Sequence, residues 1–146
     1  MKNLVMETLR RQGKASALAL REKAPEMDGT QLIAEEDFIP DFDPTKDYSS
    51  WKAGSPVQDE GQVWTLLIPH NAAHYTGRPS TLRAMWELAH TKDPAKAKPY
   101  VAPYGTSGLY MTDECCEVDG VVYRSTKDDN PYSPAEYAEW WEKISE

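Results

Sequence analysis

Three groups of side chains in this 146-residue chain could do bond chemistry. His70 and His74 lie four apart, a spacing that on a helix turns two imidazoles toward one metal ion. Pro69 opposes a helix there, so no metal site is expected. Acids crowd residues 113–129, and a glycosidase needs two carboxyls facing one another across a cleft. Nothing in their spacing marks such a pair, and they read as a solvated face. Cys115 and Cys116 are adjacent, so in a strand they point to opposite faces. They read as two reduced thiols, one more buried than the other; a vicinal disulfide is the strained alternative. No glycine-rich phosphate loop or serine-nucleophile signature occurs. The expectation is a binding protein without catalysis, cofactor or metal.

Composition points the same way. Five Trp and eight Tyr stand against two Phe. Trp and Tyr carry an apolar body and a polar tip, so they serve half-exposed surfaces as well as cores. The net charge is −8. Residues 93–146 hold eleven acids and five bases, whereas residues 47–92 hold four of each. Such a surface repels phosphate backbones, which excludes nucleic acid as a partner and is compatible with an uncharged ligand. No stretch has the length to span a membrane, so no membrane insertion is expected. The start, Met1 to Glu7, lacks the apolar region of a signal peptide.

The elements that would position these residues begin with a helix. Residues 2 to about 24 are rich in good helix formers up to Pro25. A weak heptad-like stripe (Met6, Leu9, Gly13, Ser16, Leu20) leaves two readings open: a helix that docks on its own protein, or one for oligomerisation or attachment. Thr30 caps a second short helix before Pro40, and Phe38 to Pro44 reads as an extended linker with apolar anchors.

The rest of the chain repeats. A shift of 59 residues brings Trp51 onto Tyr110, Val57 onto Cys116, Gly61 onto Gly120, Val63 onto Val122, Trp64 onto Tyr123 and Asn71 onto Asn130. A shift of 55 then brings Pro79 onto Pro134, Leu82 onto Tyr137 and Trp86 onto Trp141. Matches of this kind in one order indicate a motif used twice. In each copy Asp-Glu-Gly or Asp-Gly signals a tight turn ahead of a β-rich run. The chain therefore reads as mainly β: two small antiparallel modules in tandem behind an α-helical segment. The expected boundaries are a helical segment 1–37, a linker 38–47, a first unit 48–91, a linker 92–105 and a second unit 106–146. Units this small are marginal alone and must lean on one another, on the N-terminal segment or on other subunits.

The first copy, with Trp51, Val57, Gly61, Trp64, Leu67, Pro69, His70, Tyr75, Pro79 and Trp86, resembles the family 5/12 carbohydrate-binding modules, the chitin- and cellulose-binding type. The second keeps Tyr110, Gly120, Tyr123, Tyr132, Pro134 and Trp141 but lacks the Pro-His pair. The arrangement also looks like small tail-associated proteins of prophages in Gram-positive bacteria. The resemblance implies a polysaccharide or cell-wall glycan as ligand and phage tail or fibre proteins as partners. It also implies a homo-oligomer, made in the host cytoplasm and acting on the virion or outside the cell after lysis.

Sugar rings have apolar C–H faces edged by hydroxyls, which a rigid aromatic ring can cover at small entropic cost. Tyr75 and Tyr132 match the family's exposed loop aromatic, and Trp51 and Tyr110 its leading aromatic. Trp140 stands beside Trp141, and one of the pair is free to be exposed. Asn71 and Asn130 could bond hydroxyls, although Asn in a turn commonly bonds its own backbone. Trp64, Trp86, Tyr123 and Trp141 are expected in the cores. The competing reading is a structural adaptor in a tail or fibre that binds no sugar.

Overall fold

The computed structural model describes residues 18–144. The chain is mainly β, in two sheets, and the duplication governs both. In the first, β1 (Pro56–Asp59), β2 (Gln62–Leu66) and β3 (Trp86–Leu88) pair antiparallel in that order. The second orders β4 (Lys98–Pro99), β5 (Cys115–Val118), β6 (Val121–Ser125) and β7 (Trp141–Lys143). β1 and β2 map onto β5 and β6 at the 59-residue shift, and β3 onto β7 at the 55-residue shift. The hairpin turns also match. Glu60 and Gly61 have φ of 53° and 75°, Asp119 and Gly120 of 51° and 80°. Two consecutive positive φ values make the tight turn whose twist suits a two-residue hairpin, and a glycine at the second position removes half its steric cost.

The two stretches expected to be linkers are structural. Phe42 N–H donates to the Gln58 carbonyl, and Gln58 N–H to the Pro40 carbonyl, both at 2.8 Å, so residues 40–42 run parallel to β1. In the second unit β4 runs parallel to β5, and Tyr100 N–H donates to the Glu117 carbonyl at 3.0 Å. Both extended segments carry a proline (Pro40, Pro99), which suits an edge position: the Pro40 carbonyl accepts from Gln58, and the Pro99 carbonyl turns away from β5 to accept from Gln62 Nε2.

Each leading segment delivers one ring of an aromatic trio at the core, Phe42 buried and Tyr100 half-buried. In the first unit Phe42 stacks on Tyr48 (centroids 6.0 Å), and both meet Trp86 edge-on at 5.7 and 5.3 Å. In the second, Tyr100 stacks on Tyr110 (5.4 Å), and both meet Trp141 at 6.4 and 5.2 Å. The ring that packs like Tyr110 is therefore Tyr48, not Trp51, which the uniform shift had paired with it. The first unit holds more residues between this ring and its hairpin, and that insertion displaces Trp51 from the trio.

β2 separates two cores by strand alternation. Trp64 and Leu66 face the aromatic trio, while Val63 faces Leu20, Ala24, Leu32, Ile33 and Ile39 of the N-terminal segment. The helix ending at residue 23 and the short helix Gly29–Ala34 thus dock on their own protein. Asp28, not Thr30, caps the latter: its carboxylate accepts from Gln31 N–H while its own N–H donates to the Gln31 side chain, and Thr30 lies inside the helix. The first part of the heptad-like stripe lies outside the described residues. Among the described residues the second unit has no such cover, and its core is the smaller one around Tyr110, Cys116 and Trp141.

The units share a joint. His90 stacks on Tyr110 at 3.7 Å and 21°, and its Nε2 bonds the Gly108 carbonyl at 2.9 Å. Cys115 N–H donates to the Thr91 carbonyl, Gln62 Nε2 to the Pro99 carbonyl and Arg83 to the Ala102 carbonyl. Among the described residues, no helix is long and apolar enough to cross a membrane.

Candidate functional site

The expected contact residues part into three groups. Tyr110 is 1% exposed, with Tyr100 and His90 stacked against its ring, and burial raises its phenol pKa well above the usual range. It cannot offer a face to a ligand. Asn130 is fully buried as well. Its Nδ2 donates to Ser125 Oγ (3.1 Å) and the Trp140 carbonyl (3.4 Å), and its Oδ1 accepts from Tyr132 N–H (3.0 Å). Both assignments to direct contact are corrected: tertiary cover encloses the tyrosine, and the backbone saturates the asparagine.

Trp51 and Asn71 are half-buried and committed elsewhere. The Arg21 guanidinium lies 4.4 Å from the Trp51 ring centroid and the Lys46 ammonium 5.2 Å, while Tyr48 meets the ring edge-on at 4.7 Å. Trp51 is a cation–π clamp that holds the N-terminal helix to the first unit. Asn71 Oδ1 accepts from Ala73 N–H at 3.0 Å and caps the 3-10 turn Ala72–His74. That turn places His74 near the Asn71 amide, while His70 is buried with Nδ1 against the Ile68 carbonyl at 2.7 Å. Among the described residues no three His, Cys, Asp or Glu side chains converge as for a metal ion. Cys115 and Cys116 are free thiols, both buried, and desolvation pushes the Cys116 thiol up to about 12.

The third group is exposed. Tyr75 is 43% exposed in the first unit, alone among aromatics on its loop, with its edge on His70. In the second unit Tyr132 and Tyr137 are 39% and 40% exposed, and with half-buried Trp140 they form one cluster. Tyr132 and Tyr137 stack at 5.2 Å and 28°, and Trp140 meets them edge-on at 5.4 and 5.6 Å. Rings this close touch one another. They make a platform rather than a cage, since no cation fits between centroids barely more than 5 Å apart.

The sequence holds this platform rigidly. Ser133 and Glu136 cap each other, Ser133 N–H donating to Glu136 Oε1 (3.0 Å) and Glu136 N–H to Ser133 Oγ (3.1 Å). Tyr137 N–H closes on the Ser133 carbonyl and Trp140 N–H on the Tyr137 carbonyl. Pro134 is buried beneath the turn. From the core, Asn130 fixes the backbone of both Tyr132 and Trp140. Tyr137 was not among the expected contacts. The signal available was its place opposite Leu82 in the repeat, where one copy has an aliphatic residue and the other a ring. The same holds for Trp140 opposite Met85. Leu82 and Met85 are not aromatic, so the first unit lacks the platform; both pack against the first core, as Trp140 does against the second.

A separate groove of about 280 Å³ lies at the joint, lined by Met27, Leu32, Glu87, His90, Met111 and Glu114. Desolvation raises the Glu114 carboxyl there.

Fold and surface together define a class: a mainly β protein of two fused, unequal repeats, one of which carries an exposed aromatic platform. No protein-family model matches the chain, and no curated protein matches it.

Proposed function

We propose that the protein is a non-catalytic glycan-binding protein whose contact surface is the Tyr132–Tyr137–Trp140 platform. The single observation that supports this most is the platform itself: two exposed tyrosine rings braced by half-buried Trp140 on a loop fixed from the core by Asn130. Pre-ordered rings lose little entropy on covering the C–H face of a sugar, and neighbouring Glu and Ser side chains can meet its hydroxyls. The resemblance to family 5/12 modules suggests a chitin-like or cell-wall polysaccharide, and a phage tail fibre or baseplate as the setting. The test is co-sedimentation with insoluble chitin, cellulose and purified bacterial cell walls. Binding to at least one is expected, with Tyr137→Ala weakening it about tenfold if one stacked ring contributes roughly 1–1.5 kcal/mol. Failure to sediment with all three would sink the reading.

The adaptor reading keeps one supporting observation. Arg21 on Trp51, with Leu20 and Ala24 buried, anchors the N-terminal helix firmly to the first unit, as a handle for assembly would require. Light scattering on the full chain and on a chain lacking residues 1–17 tests it. A defined oligomer that becomes a monomer on truncation is the result it needs.

A further inference from the structure

We infer that the platform selects polysaccharides bearing free amino groups over neutral and anionic ones. This rests on the glycan-binding reading and deepens it. From Asp128 to Glu142 the chain carries five acids (Asp128, Asp129, Glu136, Glu139, Glu142) and no Lys, Arg or His. All five are exposed. Glu136 precedes Tyr137 and Glu139 precedes Trp140, so two carboxylates are built into the turn that presents the rings. The corresponding stretch of the first unit, residues 69–87, carries Arg78, Arg83, His70 and His74 and one acid, Glu87. The second copy thus carries both the ring cluster and an excess of acids in this stretch, and the first copy carries neither.

The geometry narrows the cation. The three rings are in contact, so a small quaternary ammonium has no cavity between them. A positive group must stand beside the rings, within reach of the exposed carboxylates of Glu136 and Glu139 that adjoin Tyr137 and Trp140 in the chain, and so belongs to a ligand whose body lies on the rings. A polymer of amino sugars has that form: pyranose faces for the rings and a protonated primary amine at the edge of each sugar. Uronic acid or phosphate polymers meet repulsion, and neutral chitin meets only the rings.

The experiment compares sedimentation of the intact chain with chitin and with its de-N-acetylated form, chitosan. It is run at about pH 6, where an aliphatic amine is charged, in low salt and in salt near 0.5 M, where screening is strong. The expected result is retention on chitosan several-fold above chitin in low salt, the gap closing in high salt. Tyr137→Ala lowers binding to both polymers. The double variant Glu136→Gln with Glu139→Gln lowers binding to chitosan by a larger factor than binding to chitin, so the ratio between the two polymers falls toward one, and the amide oxygen at position 136 still accepts from Ser133 N–H. Equal binding to chitin and chitosan overturns the inference while leaving the glycan reading standing. Binding to neither removes both. Retention on chitosan unaffected by Tyr137→Ala, and matched by polylysine beads, would mark a general polycation surface and also overturn the inference. Thermal melts of each variant confirm that it is folded.

Discussion

The indole nitrogen of Trp141, in the core of the second unit, donates to the carbonyl of Tyr132 on its surface loop at 3.0 Å. In the first unit the matching indole nitrogen, that of Trp86, is buried without a protein partner. One copy thus ties its core to its exposed aromatic loop and the other does not. Trp141→Phe should keep the hydrophobic body, remove this tie and cost about 1–2 kcal/mol in urea denaturation. It should also weaken polysaccharide binding although position 141 is itself buried. Unchanged binding would detach the platform from the core.

The two repeat asparagines should behave unequally. Asn130→Ala leaves Tyr132 N–H unpaired and empties a fully buried position, while Ser125 Oγ and the Trp140 carbonyl keep their bonds to Lys127 and Thr126, at an expected cost of about 1–3 kcal/mol. Asn71→Ala loses one cap on a short 3-10 turn and should cost about 0.5–1 kcal/mol. Denaturation midpoints of the two variants give the comparison; equal losses would contradict the burial difference.

Glycines at matching turns and at the joint separate strain from collision. A methyl group on Gly61 or Gly120 meets open space but sits at positive φ, so Gly→Ala there should cost about 1 kcal/mol. A methyl on Gly29 would run into the backbone of His90. Gly29→Ala should therefore cost clearly more, read as a larger fall in Tm, because the short helix must back away from the segment that follows β3 at the joint.

Much of this fold is legible in the sequence because its signals are local. The turn pairs Glu60–Gly61 and Asp119–Gly120, and the β-branched and aromatic runs after them, fix both hairpins and their register. The 55-residue offset then places β3 and β7. The parallel leading segments were missed because a Pro-bearing extended stretch looks the same whether it crosses solvent or lies along β1 or β5. Only the long-range bonds of Phe42 and Tyr100 distinguish the two. The site was legible in part. Tyr132 and Trp140 follow from loop position, but nothing local says that His90 and Tyr100 cover Tyr110, or that Arg21 and Lys46 crowd Trp51. Exposure of an aromatic in a polar loop is decided by what arrives from elsewhere in the chain.

His90 gives the joint a pH dependence with a definite sign. Burial, with the Arg83 charge adding to it, pushes the imidazole down to about 4, although its bond to Gly108 opposes the change. Above about pH 6.5 the ring is neutral in both folded and unfolded chains and has no effect. Between there and about pH 4 the unfolded chain takes up a proton that the folded chain refuses, so stability falls as the pH falls. The full drop is roughly 3 kcal/mol, because each tenfold difference in proton affinity between the two states is worth about 1.4 kcal/mol. Glu114, raised by burial on the same side of the joint, works in the opposite direction, because its protonation favours the folded state. The contribution of His90 is therefore isolated by difference. His90→Gln, whose amide can still donate to the Gly108 carbonyl, should lose some stability at pH 7.5 and show a flatter profile down to pH 4.5 than the parent chain. Parallel profiles for the two proteins, measured by urea denaturation at each pH, would show that His90 is not buried against Tyr110 in solution.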